Sequence, residues 1–324
     1  MRALTLFLPG LMPLDGPDLR DHARALPGLA RLLGRARAQT RELPLEQLLL
    51  QTLGCSSELA WAPLTARIDL PAALHSDDWL RCDPVYMHAD PNKVLMYPAP
   101  ALSADDADAM LADLRVAFPE LDLQRGAHPG RWYLRRNADL PGIAPSVQWL
   151  QGRSLSPHLP QAREHRAWRQ YLNALQMALH AHPVNASREA RGLPPVNGVW
   201  ICGGGATTYS RSVTRTEPQV KCFGNDALLA GIAALRGLAW HATLPLDGEA
   251  SSAAVLVAGR GLAPITHERD IDLAEFDRTR FITQMPARAF AVHAGAHSWH
   301  LSRFARLRFW SAPAHFTLQA EPST

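Results

Sequence analysis

At 324 residues the chain has room for two domains, or one large one, and an ample buried core. Its 33 basic residues nearly balance its 30 acidic ones, and a formal charge of +3 gives no case for nucleic acid as a partner. Four cysteines (Cys55, Cys82, Cys202, Cys222) lack zinc-type spacing and are too few for a disulfide framework, which fits a reduced cytoplasm.

In chain order, ALTLFL at 3–8 reads as a buried parallel strand stopped by Pro9-Gly10. Pro9, Gly10 and Pro13 break the apolar run too early for a signal peptide, and no stretch of roughly 18 uninterrupted apolar residues suggests a membrane span. From Pro27, the leucines Leu29, Leu32 and Leu33 recur at helical spacing, and PLEQLLLQTLG predicts a second helix ending at Gly54. Strand then helix is how a doubly wound α/β domain opens. From Trp61 to Tyr97 the texture changes to extended pieces, PLTARIDLP and DDWLRCDPVYMHADPNKVLMYP, which predict sheet.

A helix follows, with Ser103 as N-cap, Asp106 in the third position, and Met110, Leu111, Leu114 and Phe118 on its apolar side. GRWYLRR from Gly130 reads as a strand. Residues 64–150 thus form a candidate inserted α+β domain, with GRSLSPHLP at 152–160 as its linker. A helix from Glu164 to Ala181 carries Trp168, Tyr171, Leu172, Leu175, Met177 and Leu179 as a core face. After a polar loop, YSRSVTRTEP, come a helix in NDALLAGIAALRGL, strands in SAAVLVAG (252–259) and ARAFAVHAG (287–295), and an edge strand in LSRFARLRFW.

The centre of the chain, HPVNASREARGLPPVNGVWICGGG at 182–205, combines Asn185, Asn197, Arg188 and Arg191 with Gly203, Gly204 and Gly205. Glycine backbone can approach an anion closely and aim N–H groups at it, while arginine offers a planar fork that fits phosphate or carboxylate. The same residues also fit a strand entered from an Asn-rich turn and left through a glycine bend. No Walker loop or dinucleotide fingerprint is present.

Other chemistry is sparse. His293, His297 and His300 would share a helix face, but FAVHAGAHSWHLS reads as two strands joined at Gly295, which separates their rings. His267, Glu268, Asp270 and Asp272 read as solvated charge on a loop. No nucleophile elbow or HExxH occurs. Cys202, beside the glycines, is the thiol to watch, although a small buried hydrophobe is its ordinary reading.

Residues 182–205 resemble archaeal-type cofactor-independent phosphoglycerate mutases of the alkaline phosphatase superfamily. His182, Pro183, Asn185, Arg188, Gly192, Pro195, Asn197, Trp200, Gly203 and Gly205 stand at that family's spacing, and Cys202 departs from its usual aromatic. FGNDALLAGIAALRG, LARLLGRA and DDWLRCDPVYMHAD carry a weaker likeness. The DPVYMHAD and HPVN blocks together are similar to bacterial RpfE-type regulatory proteins, often labelled mutase-like.

The resemblance implies an α/β fold, with an alkaline-phosphatase-like doubly wound core (1–63 and 151–324) and the inserted domain at 64–150. It also implies two metal ions held by Asp and His, and a serine that carries the phosphoryl group. Here Pro9-Gly10 stands where the family has Asp-Gly, Leu45 with Glu46 holds the approximate nucleophile place, and VLVAGRGLAPITHERDID lacks the Asp-His pair. Asp15-Gly16 lies beyond the strand end.

The expectation is therefore a catalytically degenerate, cytoplasmic protein with no catalytic residues, metal ligands or cofactor. It would bind a small anionic or phosphorylated ligand, or a regulatory partner, and neither nucleic acid nor a membrane. Arg188 and Arg191 would hold the anion, Asn185 and Asn197 would orient it or fix the loop, and Gly203, Gly204 and Gly205 would admit it. An active mutase and a pure interaction protein are the alternatives.

Overall fold

Short apolar runs that stop at Gly or Pro suit the strands of a parallel sheet, and the computed structural model places several of this chain's runs in such strands. It describes residues 3–7, 11–13, 27–40, 43–91, 93–99, 101–135, 144–151, 153–159, 166–206, 220–224, 226–242, 254–257, 289–294, 297–301, 311–314 and 316–318. The chain divides into two units, one of residues 1–57 and 212–323, the other of residues 58–211. The fold is mixed α/β.

The first unit opens with β1 (Ala3–Phe7), β2 (Leu11–Pro13), α1 (Pro27–Arg35), β3 (Arg37–Thr40) and α2 (Leu45–Thr52). The second unit contains α3 (Ala62–Asp69), β4 (Trp79–Asp90), β5 (Lys93–Pro98), α4 (Ala104–Ala117), β6 (Leu123–Arg125) and β7 (Trp132–Arg135), followed by α5 (Val147–Leu150), α6 (Arg166–His180), α7 (Pro183–Ala190) and β8 (Gly198–Cys202). The chain then returns to the first unit with β9 (Lys221–Phe223), α8 (Ala227–Arg236), β10 (Ala239–His241), β11 (Ala254–Val257), β12 (Ala289–Ala294), β13 (His297–Leu301) and β14 (Phe316–Leu318).

In the first unit a seven-stranded sheet runs β10-β9-β11-β1-β12-β13-β3. β1 pairs in parallel with β11 and β12, and β9 in parallel with β10 and β11. The HAGAH turn reverses the chain, so β13 lies antiparallel to β12 and pairs in turn with β3. His293 therefore sits opposite Ser298 and His300 opposite Ala291, a register in which the three histidines do not form one helical face. Most of LSRFARLRFW, the loop YSRSVTRTEP and the acidic cluster at 267–272 lie outside the described residues.

In the second unit β4 is the spine. At Arg81 it pairs with both Tyr133 of β7 and Cys202 of β8, so those strands lie on its opposite edges; further along, β5 takes the β7 side. Alternation along β4 sorts the core. Leu80 and Cys82 share a cluster with Met110, Leu111 and Leu114 of α4 and Leu172, Leu175 and Leu179 of α6, together with Trp132, Leu134, Val199 and Ile201. Trp79 faces the other way, with Tyr133, against Ala66 and Leu70 from the region of α3.

Two expectations meet a different structure. PLTARIDLP is largely helical, because Pro63 sits in the first turn and Ala62, Leu64, Thr65 and Ala66 bury there; a short apolar run does not by itself choose between helix and strand. Met177 is 74% exposed rather than part of the α6 core face, which Leu172, Leu175 and Leu179 supply. α6, α7 and β8 belong to the second unit, where β8 completes the β4 sheet. Among the described residues no helix is long and apolar enough to cross a membrane.

Candidate functional site

Antiparallel pairing holds β8 to β4 as far as Gly198 opposite Val85. Beyond that point the two prolines, Pro194 and Pro195, carry the chain away from the ladder, which would strand the next peptide groups of β4. Asn197 replaces the missing strand. Its Oδ1 accepts from the Met87 N–H at 2.7 Å and its Nδ2 donates to the Met87 carbonyl at 2.9 Å.

Asn185 does the same for Val196. Its Oδ1 accepts from the Val196 N–H at 2.8 Å, and its Nδ2 donates to the carbonyls of Val196 (3.1 Å) and Leu179 (2.7 Å). Both amides thus act as surrogate peptide groups, and Asn185, 4% exposed, ties the end of α6 to the approach to β8.

The glycines are placed by backbone crowding. Gly203 has φ +81° and Gly205 φ +153°, conformations that favour glycine. A Cβ on Gly203 would stand 2.7 Å from the Ala62 Cβ, and one on Gly205 2.4 Å from the Glu58 carbonyl oxygen. The segment 58–62 occupies that approach, with the Ala62 N–H donating to the Gly203 carbonyl at 2.9 Å. Cys202, at the end of β8, is fully buried, and all four cysteines are free thiols.

The arginines meet a carboxylate that no local sequence signal connects with them. α7 lies antiparallel to α4. Near its start, Nδ1 of His182 accepts from the Val184 N–H, and Nε2 stands 3.2 Å from the Asp113 carboxylate at an angle too poor for a full hydrogen bond. At the other end Arg188 and Arg191 converge on Asp106, in the first turn of α4.

Arg188 is fully buried. Its Nε donates to the Pro194 carbonyl at 3.1 Å, Nη1 to that of Ala101 at 3.4 Å, and Nη1 lies 3.8 Å from Asp106 Oδ2. Burial pushes its guanidinium below the ordinary arginine range, Asp106 opposes that shift and Arg191 reinforces it. Ala101, held at its carbonyl, has φ 45°, an unusual conformation for a residue with a Cβ.

Arg191 is 48% exposed. Its Nε donates to the Ser187 carbonyl at 3.1 Å and its Nη2 to Asp106 Oδ2 at 3.0 Å. Of the seven expected ligand residues, the structure brings Arg188 and Arg191 together around one carboxylate. It occupies Asn185 and Asn197 with backbone, and sets Gly203 and Gly205 against 58–62, with Gly204 half-buried between them.

A second polar group lies on the α3 face of β4. Arg81 forms a bidentate pair with Asp83 (2.8 and 2.7 Å), and its guanidinium lies over the rings of Trp61 and Tyr133. Burial works against the Arg81 charge, but Asp83 and the neighbouring Tyr133 hold it above the ordinary range. Nearby, Asp69 accepts from Arg131 twice at 2.7 Å and from the Tyr133 hydroxyl at 2.6 Å. The signal for the first pair was in the sequence: Arg-x-Asp inside an apolar strand puts two charges on one buried face.

A dinuclear metal site needs several carboxylates and imidazoles in one place. Among the described residues no group of three or more His, Cys, Asp or Glu could hold a metal ion. α2 begins at Pro44 and Leu45 with no side-chain cap, so no hydroxyl stands at its first positions. These residues do not fit the metal pair and serine implied by the resemblance; 258–288 lie outside the described residues.

No family profile matches the chain. It is 24% identical to 2,3-bisphosphoglycerate-independent phosphoglycerate mutase of Methanosarcina mazei over 190 residues, 56% of this chain and 45% of that enzyme, so the chain spans under half of the curated relative it matches. Among solved structures, the PH0037 protein of Pyrococcus horikoshii has a TM-score of 0.45 at 14% identity, covering 100% of this chain and 89% of that one. Cofactor-independent phosphoglycerate mutase of Thermoplasma acidophilum has a TM-score of 0.37 at 17% identity, covering 93% and 89%. Both TM-scores lie below one half, and the likeness to these mutases rests on sequence, where it is weak.

Proposed function

We propose that the chain is a phosphoglycerate-mutase-like protein that binds a small phosphorylated or carboxylate-bearing ligand, in a regulatory role, without metal-dependent phosphoryl transfer. The observation that carries the binding half is the pair of guanidinium groups on one carboxylate. Arg188 and Arg191 both lie against Asp106 Oδ2, and the half-exposed Arg191 presents its guanidinium to solvent. Arg188 is the buried strut beneath it. Asn185, Asn197 and the glycines hold the frame on which Arg191 is mounted. The loss of turnover is supported by Pro44 and Leu45 at the start of α2 and by Pro9-Gly10 after β1.

Isothermal titration with 3-phosphoglycerate and with inorganic phosphate tests the site. Saturable binding is expected, weakened at least about tenfold in Arg191→Gln with the melting temperature unchanged, because an exposed arginine contributes little to folding. Binding that is indifferent to Arg191→Gln, or no binding to the unmodified chain, overturns the assignment. The match to the Methanosarcina mazei mutase favours a second reading, an active mutase whose metal ligands come from residues not described above.

A further inference from the structure

Two features of the arginine cluster point beyond simple binding. The first is that one oxygen, Asp106 Oδ2, serves both arginines, at 3.0 Å from Arg191 and 3.8 Å from Arg188. The second is that Arg191 is held independently of that oxygen: its Nε donates to the Ser187 carbonyl one helical turn back, and its own backbone N–H closes the end of α7. The guanidinium therefore stays in place when the carboxylate leaves.

We propose that Asp106 is a built-in competitor for the anion site, its carboxylate occupying the place on Arg191 that a ligand's phosphoryl or carboxylate group takes. This rests on the binding role of Arg191 argued above, and adds how the site is restrained. A carboxylate offers the same paired oxygens to a guanidinium fork that a phosphoryl group does, with less charge. Asp106 also lies in the first turn of α4, behind the Ser103 cap, where the helix favours a negative charge. A dianionic phosphoryl group can displace it, whereas a weakly charged anion cannot. Once displaced from Arg191, Asp106 still faces Arg188.

The test is titration of inorganic phosphate into the full chain and into Asp106→Asn, which removes the charge and keeps the shape. Affinity is expected to rise about two- to fivefold in Asp106→Asn, the scale of one partly exposed ion pair, and to vanish in Asp106→Asn combined with Arg191→Gln. Asp106→Ser, with an early melt of the Asn variant checked by thermal unfolding, gives the same direction by a second route. Phosphate binding to the unmodified chain that is equal or weaker in both Asp106 variants overturns the competitor and leaves the Arg191 site standing. No binding to any of the proteins overturns the site itself.

Discussion

An asparagine side chain carries the donor and acceptor of a peptide group at the end of a short tether, and this chain uses two of them as peptide substitutes. Asn185 lies 11 residues from Val196, and Asn197 lies 110 from Met87. Removing the Asn185 amide leaves the Val196 N–H and carbonyl buried without these partners, while the Leu179 carbonyl keeps the His182 N–H. Asn185→Ala is therefore expected to cost about 2–4 kcal/mol in chemical denaturation, at roughly 1–3 kcal/mol per abandoned buried polar group. Asn185→Asp is expected to cost more, because it points a second acceptor at two carbonyls. A melt unchanged in Asn185→Ala would show that the amide is not structural. The residues of this stretch were legible from the sequence, but their partners were not: Asp106 is 85 positions from Arg191, and nothing in one sequence links an acid in a helix's first turn to an arginine so distant.

Elements were legible where local chemistry and burial agree. ALTLF, AVLV and AFAVHA are continuous apolar runs and form β1, β11 and β12 of the parallel part of the first sheet. α4 followed from the Ser103 cap, whose Oγ accepts from the Asp106 N–H, and from the spacing of Met110, Leu111 and Leu114. α3 was not legible, because the burial that makes APLTARID helical comes from Trp79 and Tyr133, distant in the chain. β4 shows most sharply what a strand imposes: its alternation places Arg81 and Asp83 on one buried face.

Such a pair is costly to break and cheap to replace whole. Arg81→Met alone is expected to destabilise by about 3–5 kcal/mol, because Asp83 stays buried without its fork. Arg81→Met with Asp83→Leu should recover most of that loss. A double variant no more stable than the single one would show that the pair is held by more than its own charges, for example by the rings of Trp61 and Tyr133.

On the scale of the whole molecule, the sequence match to a mutase covers 45% of that enzyme, so neither its activity nor its substrate passes directly to this chain. The second unit builds a frame from β4, β8, α6 and α7 and sets one half-exposed guanidinium on it. In the first unit, the start of α2 presents Pro44 and Leu45. On the proposed reading, such a protein would hold a phosphorylated ligand and leave its phosphoryl group untouched. The most direct measurement is to incubate the full chain with 3-phosphoglycerate and manganese and follow 2-phosphoglycerate through a coupled enolase assay. No product above the protein-free blank is expected, with titration of the same sample showing binding that depends on Arg191. Sustained conversion that a chelator abolishes would contradict that reading.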